Sequence, residues 1–140
     1  MMYDPLRATL SVASSGMQAQ SHRARIVSEN LANAESTGTR PGSLPFTRKT
    51  ITMVGSFDEA LGATQVRIER IGADRTPYPI RHEPGHPAAD ADGNVKYPNV
   101  NMLNEIADIR ETNRSYEANL QVIKQARAMI SQTIDLMRSP

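Results

Sequence analysis

Apolar side chains return at alternating steps of four and three along both ends of this chain, and nowhere between. The front series is Leu6, Leu10, Ala13, Met17, Gln20, Ala24, Val27, Leu31 and Ala34. The back series is Met102, Ile106, Ile109, Asn113, Tyr116, Leu120, Ile123, Arg127, Ile130, Ile134 and Met137. A repeat of this kind sets one stripe of side chains along an α-helix, where other helices cover it. It predicts a mainly α fold, with long N- and C-terminal helices forming a coiled-coil-like pair and a small, irregular β-containing insert between them. Residues 1–38 and 101–140 would make a discontinuous helical domain, and residues 39–100 the insert.

Local punctuation agrees with two helices. Asp4 is a good N-cap, and Pro5 suits the first helical position because its missing N–H costs nothing there. Ser36, Thr37 and Gly38 form the stop, and Pro41-Gly42 forbids continuation. About thirty residues at about 1.5 Å each give a rod of roughly 45 Å. Gly16 inside it lowers helix propensity, which points to close approach by another backbone. The second helix is expected from Asn101, a second N-cap, to Arg138, with Glu105 placing acid in its first turn.

The middle reads differently. Residues 50–54 and 65–71 have strand character, the second alternating apolar with polar, and residues 56–61 are read as a helical turn. Pro77, Pro79, Pro84 and Pro87 interrupt regular structure. Asp92-Gly93-Asn94 signals a turn before a short strand at residues 95–97.

Each helix also carries a second apolar line spaced by seven: Val12, Ala19, Ile26 and Val122, Met129, Leu136. These precede the main seam by one place, about 100° round the helix, so they address another neighbour. One antiparallel pair buries one seam per helix, and the chain has no other long helix to cover the second. The candidate assembly interface is therefore Leu6, Leu10, Met17, Ile26, Val27 and Leu31 on the first helix. On the second it is Ile106, Ile109, Tyr116, Leu120, Val122, Ile123, Met129, Ile130, Ile134 and Met137. A lone helical hairpin with these small side chains is marginal against the entropy of ordering it, so the termini are expected to be frayed or disordered in the free monomer and to become helical when copies or partners pack around them. Asn113 and Arg127 interrupt the second seam, either to set register or to face a wet part of the assembly.

With 140 residues the chain has room for one ordinary domain, and only 4% of it is aromatic. Sixteen basic residues against 15 acidic give a net charge of +1, without the basic excess that nucleic-acid or membrane-surface binding needs. There is no Cys, so disulfide and thiolate chemistry are excluded. No stretch approaches the roughly 18 to 20 apolar residues that span a bilayer, so direct membrane insertion is not expected. The front of the chain lacks the pattern of a cleavable signal; if the protein leaves the cytoplasm, another route is expected to carry it.

Catalytic strings fail on their context. His82-Glu83-Pro84-Gly85-His86 has the letters of H-E-x-x-H, but that zinc chemistry needs both imidazoles on one helical face, and Pro and Gly lie between them. Asp90-Ala91-Asp92-Gly93-Asn94 resembles the start of a calcium loop, with Gly two positions early and no closing Glu. Asn113-Arg114-Ser115 is a glycosylation sequon inside a helix. The segment from Gly38 to Gly42 lacks the lysine of a phosphate loop, and Ser14-Ser15-Gly16 is helical rather than a nucleophile elbow. No enzyme, cofactor or metal is expected.

Ser28-Glu29-Asn30-Leu31-Ala32-Asn33-Ala34 followed by Thr37, with Gly16-Met17 and Gln20 upstream, strongly resembles the flagellar basal-body rod and hook family. Arg114-Ser115-Tyr116-Glu117-Ala118-Asn119-Leu120 is similar to the R-x-Y-x-A-N helix that ends that family. Glu83-Pro84-Gly85-His86-Pro87, Tyr97-Pro98-Asn99-Val100-Asn101 and the short length resemble its proximal-rod members; Asn94 departs from them, where an aromatic is usual. The resemblance implies a bacterial structural protein, exported without a cleavable signal through the flagellar type III apparatus and assembled in the periplasm. Its partners would be copies of itself and other rod proteins. Its terminal helices would line the tubular rod, a helical drive shaft carrying torque from motor to hook. By transfer, Asn30, Ala32, Asn33 and Thr37 close the first helix and fix its turn, with Tyr116 and Asn119 marking the second; local capping explains Asn33 equally well. Two other readings are a soluble coiled-coil adaptor or chaperone-like module for one protein partner, and a metallohydrolase using His82, Glu83 and His86.

Overall fold

The computed structural model describes residues 4–138; expectations touching Met1 to Tyr3, Ser139 and Pro140 lie outside them. The elements are α1 (Pro5–Ala32), β1 (Lys49–Asp58), β2 (Ala63–Ala73), β3 (Ile80–His82), β4 (Asn94–Lys96) and α2 (Met102–Arg138). The helices hold 28 and 37 residues, and β1 and β2 hold 10 and 11. A helix at each end with strands between is the expected order. The proportion is not: the fold is mixed α and β rather than mainly α, because the hairpin strands outrun the segments with obvious strand character.

Both helix starts follow from their caps. Asp4 Oδ1 accepts from the backbone N–H of Leu6 at 3.0 Å and Arg7 at 3.2 Å. Asn101 Oδ1 accepts from Leu103 at 3.0 Å and Asn104 at 3.3 Å. The first helix stops at Ala32, short of the Ser36–Gly38 stop read from sequence. Asn33 ends it early: its Nδ2 donates to the Glu29 carbonyl at 2.8 Å, and its Oδ1 accepts from Ser36 Oγ at 3.1 Å.

Strands β1 and β2 form a two-stranded sheet, joined so briefly that they must run antiparallel. Strand β1 continues through Ser56 to Asp58, where a helical turn was expected. Asp58 Oδ1 accepts from Ala60 N at 2.9 Å and Leu61 N at 3.2 Å, and Gly62 takes φ 61° to close the turn.

The chain divides into two compact units, each drawing a segment from both helices and from the hairpin. One comprises the chain up to Arg23, Thr52–Arg70 and the chain from Glu111. In it α1 lies against β2: Val66 N donates to Ser15 Oγ at 3.0 Å, and Gln65 Nε2 donates to Ser11 Oγ at 2.6 Å. Gly16 faces Asn119, and a Cβ placed there would stand 2.9 Å from Asn119 Nδ2. The close approach expected at Gly16 is thus to a side chain.

The other unit comprises Ala24–Ile51 and Ile71–Arg110. Strands β3 and β4 pair antiparallel within it, Ile80 opposite Lys96, Arg81 opposite Val95 and His82 opposite Asn94. Pairing of the Pro-bounded segment at Ile80–His82 was not expected from sequence. The sheet packs beside a small core of Ala88, Val95 and Tyr97, and the Arg81 guanidinium lies 4.0 Å from the centre of the Tyr97 ring. His82 sits in a strand and His86 in the turn beyond it, so the two imidazoles do not share a helical face.

Candidate assembly surface

Burial along α2 falls on a line that sequence reasoning passed over. Glu105, Thr112 and Ala126 are buried, at heptad steps with half-buried Asn119 between them. Small and polar residues therefore occupy the inward line of this helix within the single chain. On α1 the buried positions are Ala8, Ala13, Gly16, Ala19, Ile26, Val27 and Asn30, again mostly small.

The predicted interface residues flank these lines. Leu6, Leu10, Met17 and Leu31 are half-buried, whereas Ile26 and Val27 are buried. On α2, Ile106, Ile109, Leu120, Ile123 and Ile130 are half-buried. Tyr116, Val122, Met129, Ile134 and Met137 are exposed, as is Leu136 on the second line. Asn113 and Arg127 are exposed too. Gln20, the polar position of the first seam, carries a buried Oε1 without a hydrogen-bond partner among the described residues. Among the family-motif positions, Asn30 is buried, Asn33, Thr37 and Asn119 are half-buried, and Ala32 is exposed.

Asn30 anchors a polar network in its unit. Its Nδ2 donates to the Lys49 carbonyl at 2.9 Å and to Glu105 Oε2 at 3.1 Å, and its Oδ1 accepts from Lys49 N at 2.8 Å. The amide thus completes the root of β1 as a neighbouring strand would. Arg48 Nε donates to the other Glu105 oxygen at 2.5 Å, and Arg48 Nη1 lies 3.3 Å from Asp74 Oδ2. Asn99 closes the circuit, accepting from Arg48 N at 2.8 Å and donating to the Thr76 carbonyl at 3.0 Å.

Electrostatics follow the contacts. Burial pulls the Arg48 guanidinium down, but the hydrogen bond and charge of Glu105, with help from Asp74, leave it raised above its ordinary value. Asp74 is held below the usual carboxylate range, first by Thr76 and then by Arg48. Glu29 is lowered mainly by its 2.6 Å contact with Lys49 Nζ. Burial and the neighbouring Glu83 carboxylate raise the Tyr97 phenol, which donates to both Glu83 oxygens. Sequence reasoning singled out Asn30, read Glu105 only as a first-turn acid and missed Arg48 and Asp74, because charged residues read as solvated until a partner is known. The only written trace is Glu105 standing at the head of the line Glu105, Thr112, Asn119 and Ala126.

The chain keeps mostly small and polar residues on its buried helical lines, while Val122, Met129, Ile134, Leu136 and Met137 of α2 stay exposed. Residues 10–38 match the family described as flagella basal body rod protein, and residues 91–136 match the C-terminal family of flagellar basal body rod FlgEFG proteins. The chain is 52% identical over 136 residues to the flagellar basal-body rod protein FlgC of Agrobacterium fabrum, covering 97% of this chain and 98% of that one. It is 35% identical over 127 residues to that of Salmonella typhimurium, covering 89% and 92%. With that of Borreliella burgdorferi it shares 31% identity over 151 residues, covering 95% and 98%. The chain belongs to the flagellar basal-body rod protein family. It is a structural rod subunit, not an enzyme, and among the described residues no helix is long and apolar enough to cross a membrane.

Proposed function

We propose that this chain builds the proximal rod, its terminal helices packing with those of copies and other rod proteins into a helical tube that carries torque from motor to hook. The observation that carries this reading is the band of exposed apolar side chains on α2, from Val122 to Met137, in a chain 52% identical to a rod protein over nearly its whole length. A helix that buries its small-residue line within its own chain has those apolar flanks left for neighbours. The discontinuous domain of residues 1–38 and 101–140 is then the assembly module, coiled-coil-like in the finished shaft, and residues 39–100 form the part outside it. The chain reaches the periplasm through the flagellar type III export apparatus without a cleavable signal, and there it joins the basal body.

The experiment is complementation of a strain lacking the gene, followed by purification of basal bodies. The unaltered chain restores swimming and co-purifies with the rod, with its first residues intact. Leu31→Asp or Ile123→Asp abolishes both by burying an unpaired charge in the assembly. Swimming at the normal rate with either variant overturns the interface assignment, and a closed, stable dimer in solution that never enters basal bodies favours the adaptor reading.

A further inference from the structure

We propose that a trough along the N-terminal half of α1 receives the acidic hairpin tip of a second copy of this chain, with Asp58 and Glu59 lodged against Arg7 and Arg67. This rests on the self-assembly reading above and gives it a specific contact. The trough, of about 660 Å³, lies between one face of α1 and strand β2, with Arg7, Ser14 and Gln18 on one side and Arg67 on the other. Its described lining includes two guanidinium groups and no carboxylate. From Pro5 to Ser28 helix α1 carries no Asp or Glu of its own.

The wall is held by its own hydrogen bonds, and its charged groups are unused among the described residues. Ser11 and Ser15 spend their hydroxyls holding β2 through Gln65 and Val66. The side chains of Arg7, Ser14, Gln18 and Arg67 make no hydrogen bond or ion pair to another described residue. A positively charged cleft with idle donors on a rigid frame suits a short segment bearing carboxylates.

The chain supplies such a segment. Phe57 at the end of β1 is 65% exposed, Glu59 is exposed, and Asp58 accepts its two turn hydrogen bonds through Oδ1 alone. Two acids beside an aromatic complement two guanidiniums beside Leu10 and Val66. A chain cannot fill its own trough this way, because Ser56 already lines it and the tip is tied two residues further along the same strand. Two different patches that complement one another across copies make a heterologous contact, which propagates into an open array.

Because the chain has no Cys, introduced thiols are unique. Ser14→Cys with Ala60→Cys in one chain, treated with a short bis-maleimide in flagellated cells, gives a ladder at multiples of 15.4 kDa in purified basal bodies. Either single variant gives none. Arg7→Glu with Arg67→Glu, placed in the double-thiol chain, loses the ladder and swarming, and adding Asp58→Lys with Glu59→Lys restores both. Functional rods without the ladder overturn the proposal, as does an adduct of Ser14→Cys with a different protein or a charge-reversed set that folds but is not rescued. Absence of the unaltered chain from basal bodies instead defeats the rod-subunit reading itself, so the two failures are told apart.

Discussion

Asn30 and Glu105 are joined by a 3.1 Å hydrogen bond across 75 residues of sequence, and both side chains are shielded from solvent, at 1% and 0% exposure. The carboxylate is shielded from bulk solvent, so Asn30 and Arg48 supply the solvation it lost. A buried ion pair adds little net stability over an apolar substitute, but half of one is costly. Glu105→Ala therefore destabilises the chain by about 3 kcal/mol, the low end for a broken buried pair, because Arg48 keeps Asp74. Glu105→Leu with Arg48→Met recovers most of the loss. Urea titration of the two variants decides it, and an equal loss in both removes the charge argument.

The contact between Gly16 and Asn119 makes a second prediction whose sign depends on two opposed effects. Alanine at a helix interior gains about 1 kcal/mol over glycine. Here its Cβ would meet Asn119 Nδ2, which must swing away from the Ser115 carbonyl it holds at 3.0 Å, at a cost of about 1 kcal/mol. Gly16→Ala is accordingly close to neutral. Adding Asn119→Ala to it raises stability above Gly16→Ala alone, and thermal melts of the pair show whether the obstruction is the amide.

Acid acts in part through Asp74, with Glu29 lowered as well. The folded value of Asp74 lies below the ordinary 3.8, first because Thr76 donates to it through both backbone and hydroxyl. A carboxylate lowered on folding stabilises the folded chain above its unfolded value, and that contribution is lost as the pH falls through the folded one. Stability thus declines on acidification below about pH 4. Asp74→Asn flattens that limb while leaving neutral-pH folding intact; an unchanged acid limb assigns it to other carboxylates.

The limits of the sequence follow from what periodicity can register. The caps at Asp4 and Asn101 and both terminal helices were legible, because each is specified by neighbours within a turn. Strand β3 was not: Ile80–His82 has no pattern of its own and owes its pairing to Asn94–Lys96 across a loop. The far end of β1 was misread because Ser56 to Leu61 has modest preferences that the turn at Gly62 overrides. On α2 the apolar seam was visible, but the inner line of Glu105, Thr112, Asn119 and Ala126 was not. Its polar members are buried by partners at distances no helical period encodes.

The final prediction separates the two kinds of apolar residue on these helices. Ile26 is 3% exposed, so Ile26→Asp buries a charge and unfolds the isolated chain, at a cost on the order of 4 kcal/mol. Ile134 is 43% exposed, and Ile134→Asp changes the isolated chain by no more than about 0.5 kcal/mol. In cells the two variants converge: neither swims, the first for want of folded protein and the second for want of a neighbour able to cover the carboxylate. Circular dichroism of the purified chains beside a swarm assay tests both halves. Normal swarming by Ile134→Asp would show that the end of α2 is bare in the rod, and unfolding of the isolated Ile134→Asp chain would show that its apolar flank is already covered from within.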